Sequence, residues 1–257
     1  MKVTLIPSSM SPDGVDQNQY LISYLFNDTV AIDAGSLGFY GTPAQQSRIK
    51  HVLISHTHAD HVASLPIFVE NAFEGNPDCV TVHGSAVVLD GLQRDIFNGR
   101  VWPDFIGMSA HTGPFMKINE IEAGRAIELM GLKITPIAVD HLVPTLGFLV
   151  EDPVSSVIIA SDTGPTEELW RVAHKTPRLK AVYLEASFPN SMLGLANISK
   201  HLTPDLFGVE ARKMDRDDVE LVVVHIKPRY RAKIVEELES LGLPRLRIAR
   251  FNESYTY

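Results

Sequence analysis

The run HVLISHTHADH, residues 51–61, sets the apolar stretch VLI directly before three histidines and an aspartate within seven positions. An apolar run giving onto a helix start is an irregular, exposed junction, suited to ligands and poorly suited to core histidines. His56 and His58, two residues apart, can aim both imidazoles at one ion, and Asp60 and His61 follow where a helix begins. A single histidine is more often a surface or hydrogen-bonded residue than a ligand. Four ligand-type residues in so short a span reverse those odds. Imidazole combined with carboxylate favours Zn, Mn, Fe or Ni over Ca or Mg, which prefer oxygen alone. One ion would leave part of this cluster idle, so two sites are expected.

Working outward, short β-branched and apolar runs recur at 3–6, 20–26, 29–33, 51–55, 79–83, 133–139, 146–150, 156–161, 181–186 and 220–225. Their composition predicts strands. Amphipathic segments at 62–73, 166–175, 203–214 and 230–242 predict helices, and the alternation predicts a layered α/β fold. Three ligand-type residues stand at the ends of apolar runs: His141, Asp162 and His225. They complete two sets. His56, His58 and His141 would hold one metal, Asp60, His61 and His225 the other, and Asp162 would bridge them. Metals roughly 3.5–4 Å apart can share a hydroxide that attacks phosphorus or a carbonyl carbon.

The 257 residues contain no linker, repeat or low-complexity stretch, so one domain over 1–257 is expected. The formal charge of -8 is the wrong sign for a protein whose main partner is a long polyanion. No run of about 18 apolar residues occurs, and the start lacks an apolar signal segment, so a cytoplasmic protein without membrane contact is expected. Cys79 is the only cysteine, which excludes an internal disulfide and a multi-cysteine zinc site.

HTHADH, followed by His141, Asp162 and His225, resembles the HxHxDH signature and ligand order of metallo-β-lactamase-fold hydrolases. That resemblance implies an αββα sandwich with a dinuclear site at one edge of two sheets. It also makes Asp33, in TVAIDAG, a buried residue that orients a ligand. The stretch DGLQRDIFNGRVWPDF (90–105), with VDHLVPTLGFLVE, IIASDTGPTEELW and LEASFPN, is similar to class II 3′,5′-cyclic-nucleotide phosphodiesterases. The tRNA 3′-processing endonucleases of this fold share a histidine matching His201 in KHLTPD and a strand-end ligand matching His225. Glu185 would then orient His201, which would protonate the leaving oxygen or hold the phosphate.

The resemblance therefore implies two divalent ions, Zn or Mn with Fe as the alternative, and a small cyclic-nucleotide substrate (cAMP or cGMP) cleaved to the 5′-monophosphate by a metal-bridging hydroxide. It also allows a homodimer. Asp60, His201 and Glu185 are the expected catalytic residues. Asn98 and Trp102 are candidate base contacts, in a region that also carries Phe97, Phe105 and Phe115. A tRNA endonuclease or another small-diester phosphodiesterase is the alternative, although the long Gly- and Lys-rich arm of the tRNA enzymes is absent. A non-catalytic sensor would leave His201 and Glu185 unexplained. Lactam hydrolysis fits poorly, because those enzymes lack a bridging carboxylate.

Overall fold

The computed structural model describes residues 1–8, 18–74, 79–112 and 114–257. Two seven-stranded sheets face each other. The first is built from β1 (Lys2–Leu5), β2 (Tyr24–Phe26), β3 (Val30–Ile32), β4 (His51–Leu53), β5 (Val80–Gly84) and β6 (Met116–Glu120). The second holds β7 (Ile127–Leu129), β8 (Leu132–Val139), β9 (Thr145–Glu151), β10 (Ser156–Ile159), β11 (Leu179–Glu185), β12 (Glu220–Val224) and β13 (Leu246–Ile248). The chain then returns to the first sheet as β14 (Ser254–Thr256), giving the orders β14-β1-β2-β3-β4-β5-β6 and β13-β12-β11-β10-β9-β8-β7.

Strand alternation builds three apolar layers. Val30, Ile32, Phe148, Val157, Ile159, Tyr183 and Val222 pack between the sheets. Ala31, Leu25, Val52 and Val82 point the other way, onto α2 (Ala59–Val62), α3 (Leu65–Asn71), α4 (Ala86–Gly91) and α5 (Phe105–Thr112), which follow the short α1 (Pro43–Gln46). Ile158, Val182 and Val223 meet α6 (Glu168–His174), α8 (Pro204–Ala211) and α9 (Arg231–Ser240), while α7 (Leu193–Ser199) lies before α8. With both faces covered, the inner strands read as continuous apolar runs. The result is an αββα sandwich.

Two differences from the sequence expectation have simple causes. The single helix expected over 62–73 is split into α2 and α3 around Ser64, because Pro66 lacks an N–H and its ring crowds the carbonyl four residues back. The strands without an apolar signature, β6, β7, β13 and β14, are the four sheet edges, and three of them are largely exposed or half-exposed. Edge strands face water and carry polar side chains.

Within each sheet the strands that lead to the ligand-type residues run in one direction: β3 is parallel to β4, and β10 to β11 and β12. β8 shares the direction of β10, since both are antiparallel to β9. Their carboxyl ends therefore open on a common edge. Gly35 lets the β3 end close against the ligand loop: a Cβ there would meet Asp60 O at 2.0 Å and Ile22 N at 2.6 Å. Gly35→Ala should destabilise the fold by about 3 kcal/mol or more, because backbone atoms must move. A wild-type urea midpoint in that variant would show the contact to be relaxed at no cost.

His83 on β5 is 3% exposed, 3.0 Å from His51 Nδ1 and 3.0 Å from Asn119 Nδ2. Burial and then the neighbouring His51 push its pKa from 6.5 down to about 4. The unfolded chain protonates near pH 6.5 while the folded chain resists, so this stability is complete above pH 6.5. It is lost as pH falls from 6.5 towards 4, by up to about 3 kcal/mol. Urea midpoints measured across that window should fall more steeply for wild type than for His83→Gln; equal slopes would remove His83 as the cause.

Candidate metal centre

The common edge gathers all seven ligand-type residues. His56, His58, His141 and Asp162 form one donor group, and Asp60, His61 and His225 a second. Within each group one atom per residue lies within 4.8 Å of the others.

Three strand ends turn sharply to reach this edge. Asp33 after β3, Ser161 after β10 and His225 after β12 have φ of 59°, 59° and 55°. Asp and His are among the residues that tolerate the left-handed region best. The ligand loop is pinned through its carbonyls: Ile22 N–H donates to Asp60 O (2.8 Å) and Ala34 N–H to His61 O (2.7 Å). His58 caps α2 with extended backbone, which leaves Asp60 and His61 inside that helix.

Most imidazoles here have one nitrogen held by the protein. His61 Nδ1 donates to Asp33 Oδ2 at 2.7 Å. Ser55 Oγ donates to the same Asp33 oxygen at 2.9 Å and accepts from His56 Nδ1 at 3.0 Å. Ser55 N–H donates to Asp33 Oδ1 at 2.8 Å. One buried carboxylate thus orients a histidine of each group, one directly and one through a hydroxyl. His141 Nδ1 donates to Lys200 O at 3.0 Å, which leaves its Nε2 facing His58 Nδ1 at 3.2 Å. Lys200, left-handed at φ 56°, also pairs its ammonium with Asp140 at 2.7 Å, tying the His141 turn to the segment before His201. Fixing one nitrogen selects the tautomer and frees the other for a metal.

Asp162 lies between the groups. Its Oδ1 is 3.3 Å from His61 Nε2, and its Oδ2 is 3.0 Å from His225 Nε2 and 3.9 Å from His56 Nε2. His225 Nε2 is also 3.5 Å from Asp60 Oδ2. The backbone N–H of His225 donates to Gln19 Oε1 at 2.8 Å.

The residues fit divalent cations on two observations. His56 Nε2 and His61 Nε2 are buried without a hydrogen bond, although both rings are 0% exposed. A buried unsatisfied polar atom costs about 1–3 kcal/mol, which a metal bond removes. The electrostatics agree. Burial opposes charge on His61, yet Asp162 and Asp33 hold its pKa well above the usual histidine value. Burial likewise opposes charge on Asp162, but His225 and His61 hold it well below the carboxylate range. His56, by contrast, is driven far down by burial and then by His61. The buried carboxylates demand positive charge at this spot, and mixed His and carboxylate donors suit a transition metal.

Beside both groups stands a second histidine–carboxylate pair. His201 Nδ1 meets Glu185 Oε1 at 2.6 Å. Glu185, wholly buried at the end of β11, also accepts from Thr163 N–H (3.0 Å), Ser187 Oγ (2.6 Å) and Leu202 N–H (3.3 Å). Burial disfavours the imidazolium of His201, but Glu185 outweighs it and raises the pKa. The His201 ring packs 5.0 Å from His141 and 5.6 Å from His225, centroid to centroid.

Asn98 and Trp102 lie apart from this edge in their bonding. Asn98 Nδ2 donates to Arg94 O, and its Oδ1 accepts from Arg100 and Val101 N–H, each at 2.9 Å. Its amide closes a turn, so reading a base would cost these bonds. Trp102 packs on the helix-side layer of the first sheet, where Phe97 and Phe105 are buried. α4 does touch the ligand loop, since a Cβ at Gly91 would lie 3.2 Å from Thr57 Cγ2. Ser55, Ser187, Lys200 and Lys227 escaped the sequence reading. Ser55, Lys200 and Lys227 are each within two residues of a singled-out histidine and Ser187 is two residues from Glu185, the one signal available. Gln19 carries none.

Residues 29–226 match the family described as beta-lactamase superfamily domain. A probable 3′,5′-cyclic-nucleotide phosphodiesterase of Yersinia pestis is 28% identical over 209 residues, covering 71% of this chain and 58% of the relative. This chain therefore spans less than two thirds of that protein. A ribonuclease Z of Mycobacterium bovis is 30% identical over 135 residues, 48% of this chain and 47% of the relative. The structure of unliganded yeast PDE1 superposes with a TM-score of 0.77 over 98% of both chains at 18% identity, which shows a shared fold.

Asp33→Asn keeps the left-handed backbone that asparagine tolerates and removes the charge that orients His61 and Ser55. Metal affinity, read by chelator titration, should fall about 10- to 100-fold; unchanged affinity would mean that the ligands hold themselves. With 29–226 matched and a two-sheet sandwich gathering its donors at one edge, the chain belongs to the beta-lactamase superfamily domain family and has the metallo-β-lactamase fold.

Proposed function

We propose that this chain is a metal-dependent phosphodiesterase that hydrolyses a 3′,5′-cyclic nucleotide to the nucleoside 5′-monophosphate. The observation that carries the reading is the His201–Glu185 pair set against two donor groups that meet at Asp162. Two divalent cations, Zn or Mn by donor chemistry, would be held by His56, His58, His141 and Asp162 on one side and by Asp60, His61 and His225 on the other, and supply Lewis acidity and an activated water when bound.

The chain's own groups do the rest. Glu185 favours the protonated form of His201, and an imidazolium there can give a proton to the departing 3′ oxygen. A phosphodiester needs such an acid, because its leaving group is an alkoxide. Asp33 and Ser55 keep His61 and His56 from rotating, so the site does not reorganise when charge develops. The net charge of -8 supports a small anionic substrate over a long nucleic acid. The similarity to the Yersinia pestis phosphodiesterase supports the same substrate class.

Protein loaded with Mn or Zn should release 5′-AMP or 5′-GMP from the cyclic nucleotides in a chromatographic assay. The double variant Asp60→Ala, His61→Ala should not, and chelation of the wild type should abolish turnover until metal is restored. Intact cyclic nucleotide alongside a trimmed precursor tRNA would replace this reading with the endonuclease one.

A further inference from the structure

Among the described residues, Lys227 is the one lysine or arginine paired with a carboxylate of the donor cluster. It follows His225 by two residues, between the buried Ile226 and Pro228, which opens a short 3₁₀ turn over Pro228–Tyr230. The residue before a proline is confined to extended backbone, and Lys227 has φ −63° and ψ 123°. Its side chain is therefore launched in one direction from a fixed strand end. The ammonium lies 3.2 Å from Asp60 Oδ2, the oxygen that is 3.5 Å from His225 Nε2. A lysine offers three donors, and among the described residues this ammonium donates to Asp60 alone. The side chain remains 31% exposed, so it stands at the rim of the donor cluster. Lys200, close by in sequence to His201, is already paired with Asp140.

Charge balance decides what those donors meet. Once Asp60 holds a divalent cation, that positive charge weakens the attraction between Asp60 and Lys227. The ammonium would then be available to an anion presented beside Asp60.

We infer that Lys227 is a substrate anchor, its ammonium taking a non-bridging oxygen of the phosphate group presented to the centre. The inference rests on the phosphodiesterase reading for its substrate, and on the position of Lys227 for its chemistry. In Mn-loaded protein, Lys227→Met should raise KM for 3′,5′-cyclic AMP about tenfold, the size of a lost charged hydrogen bond, with a smaller change in kcat. Lys227→Arg should recover most of it. Inorganic phosphate, titrated calorimetrically into the same proteins, should bind the Met variant about tenfold more weakly, with bound metal unchanged.

Two results would overturn the anchor. One is unaltered KM and phosphate affinity in Lys227→Met. The other is loss of metal from that variant with phosphate affinity per loaded centre intact, which would make Lys227 a support for Asp60. If wild-type protein leaves cyclic nucleotides intact, the phosphodiesterase reading fails, while the phosphate titration still decides the role of Lys227.

Discussion

The buried carboxylate of Asp33 is the constraint from which the centre is built. It satisfies the Ser55 backbone, takes the Ser55 hydroxyl and holds His61, so that one residue fixes a histidine in each donor group. A charge at 0% exposure survives in a protein only when it is paired and hydrogen-bonded. Here the pairing is with the very side chains whose orientation the site needs. The approach of this strand end to the ligand loop depends in turn on Gly35, which leaves room for the Asp60 carbonyl.

The second sheet repeats the device. Glu185 at the end of β11 accepts from two backbone N–H groups and from Ser187, and presents its charge to His201. Each sheet thus contributes a buried acid that steers a histidine, and Asp162 stands where the two sets meet. The apolar layer between the sheets keeps both strand ends in register, since Ile32, Ile159, Tyr183 and Val224 pack in one cluster directly behind the ligand edge. The electrostatic consequence is a sheet edge rich in carboxylates and imidazoles, in which Asp162 and Asp33 favour positive charge on His61 while burial disfavours it on His56.

How much of this was legible varies with the physical origin of each feature. Inner strands covered on both faces announce themselves as apolar runs, so the ten strands expected from the sequence each have a counterpart. The edges β6, β7, β13 and β14 do not, because a water-facing strand has little apolar signature. In the segment 84–120, Phe97 and Phe105 fill the helix-side core and Phe105 stacks on Phe115 at 5.1 Å, a packing role that residue type alone does not separate from base stacking. Asn98 likewise closes a turn with its amide.

The sequence by itself determined the residue types of the centre: histidines and aspartates at the ends of apolar runs, where strands terminate and side chains become free to point into a cleft. Only the tertiary structure decided which nitrogen of His56, His61 and His141 the protein holds, that Ser55, Lys200 and Gln19 fix the donors in place, and that Lys227 reaches Asp60. The reason is range. Strand ends are encoded by local alternation, whereas hydrogen bonds such as His225 to Gln19, 206 residues apart, exist only once two sheets have closed on each other.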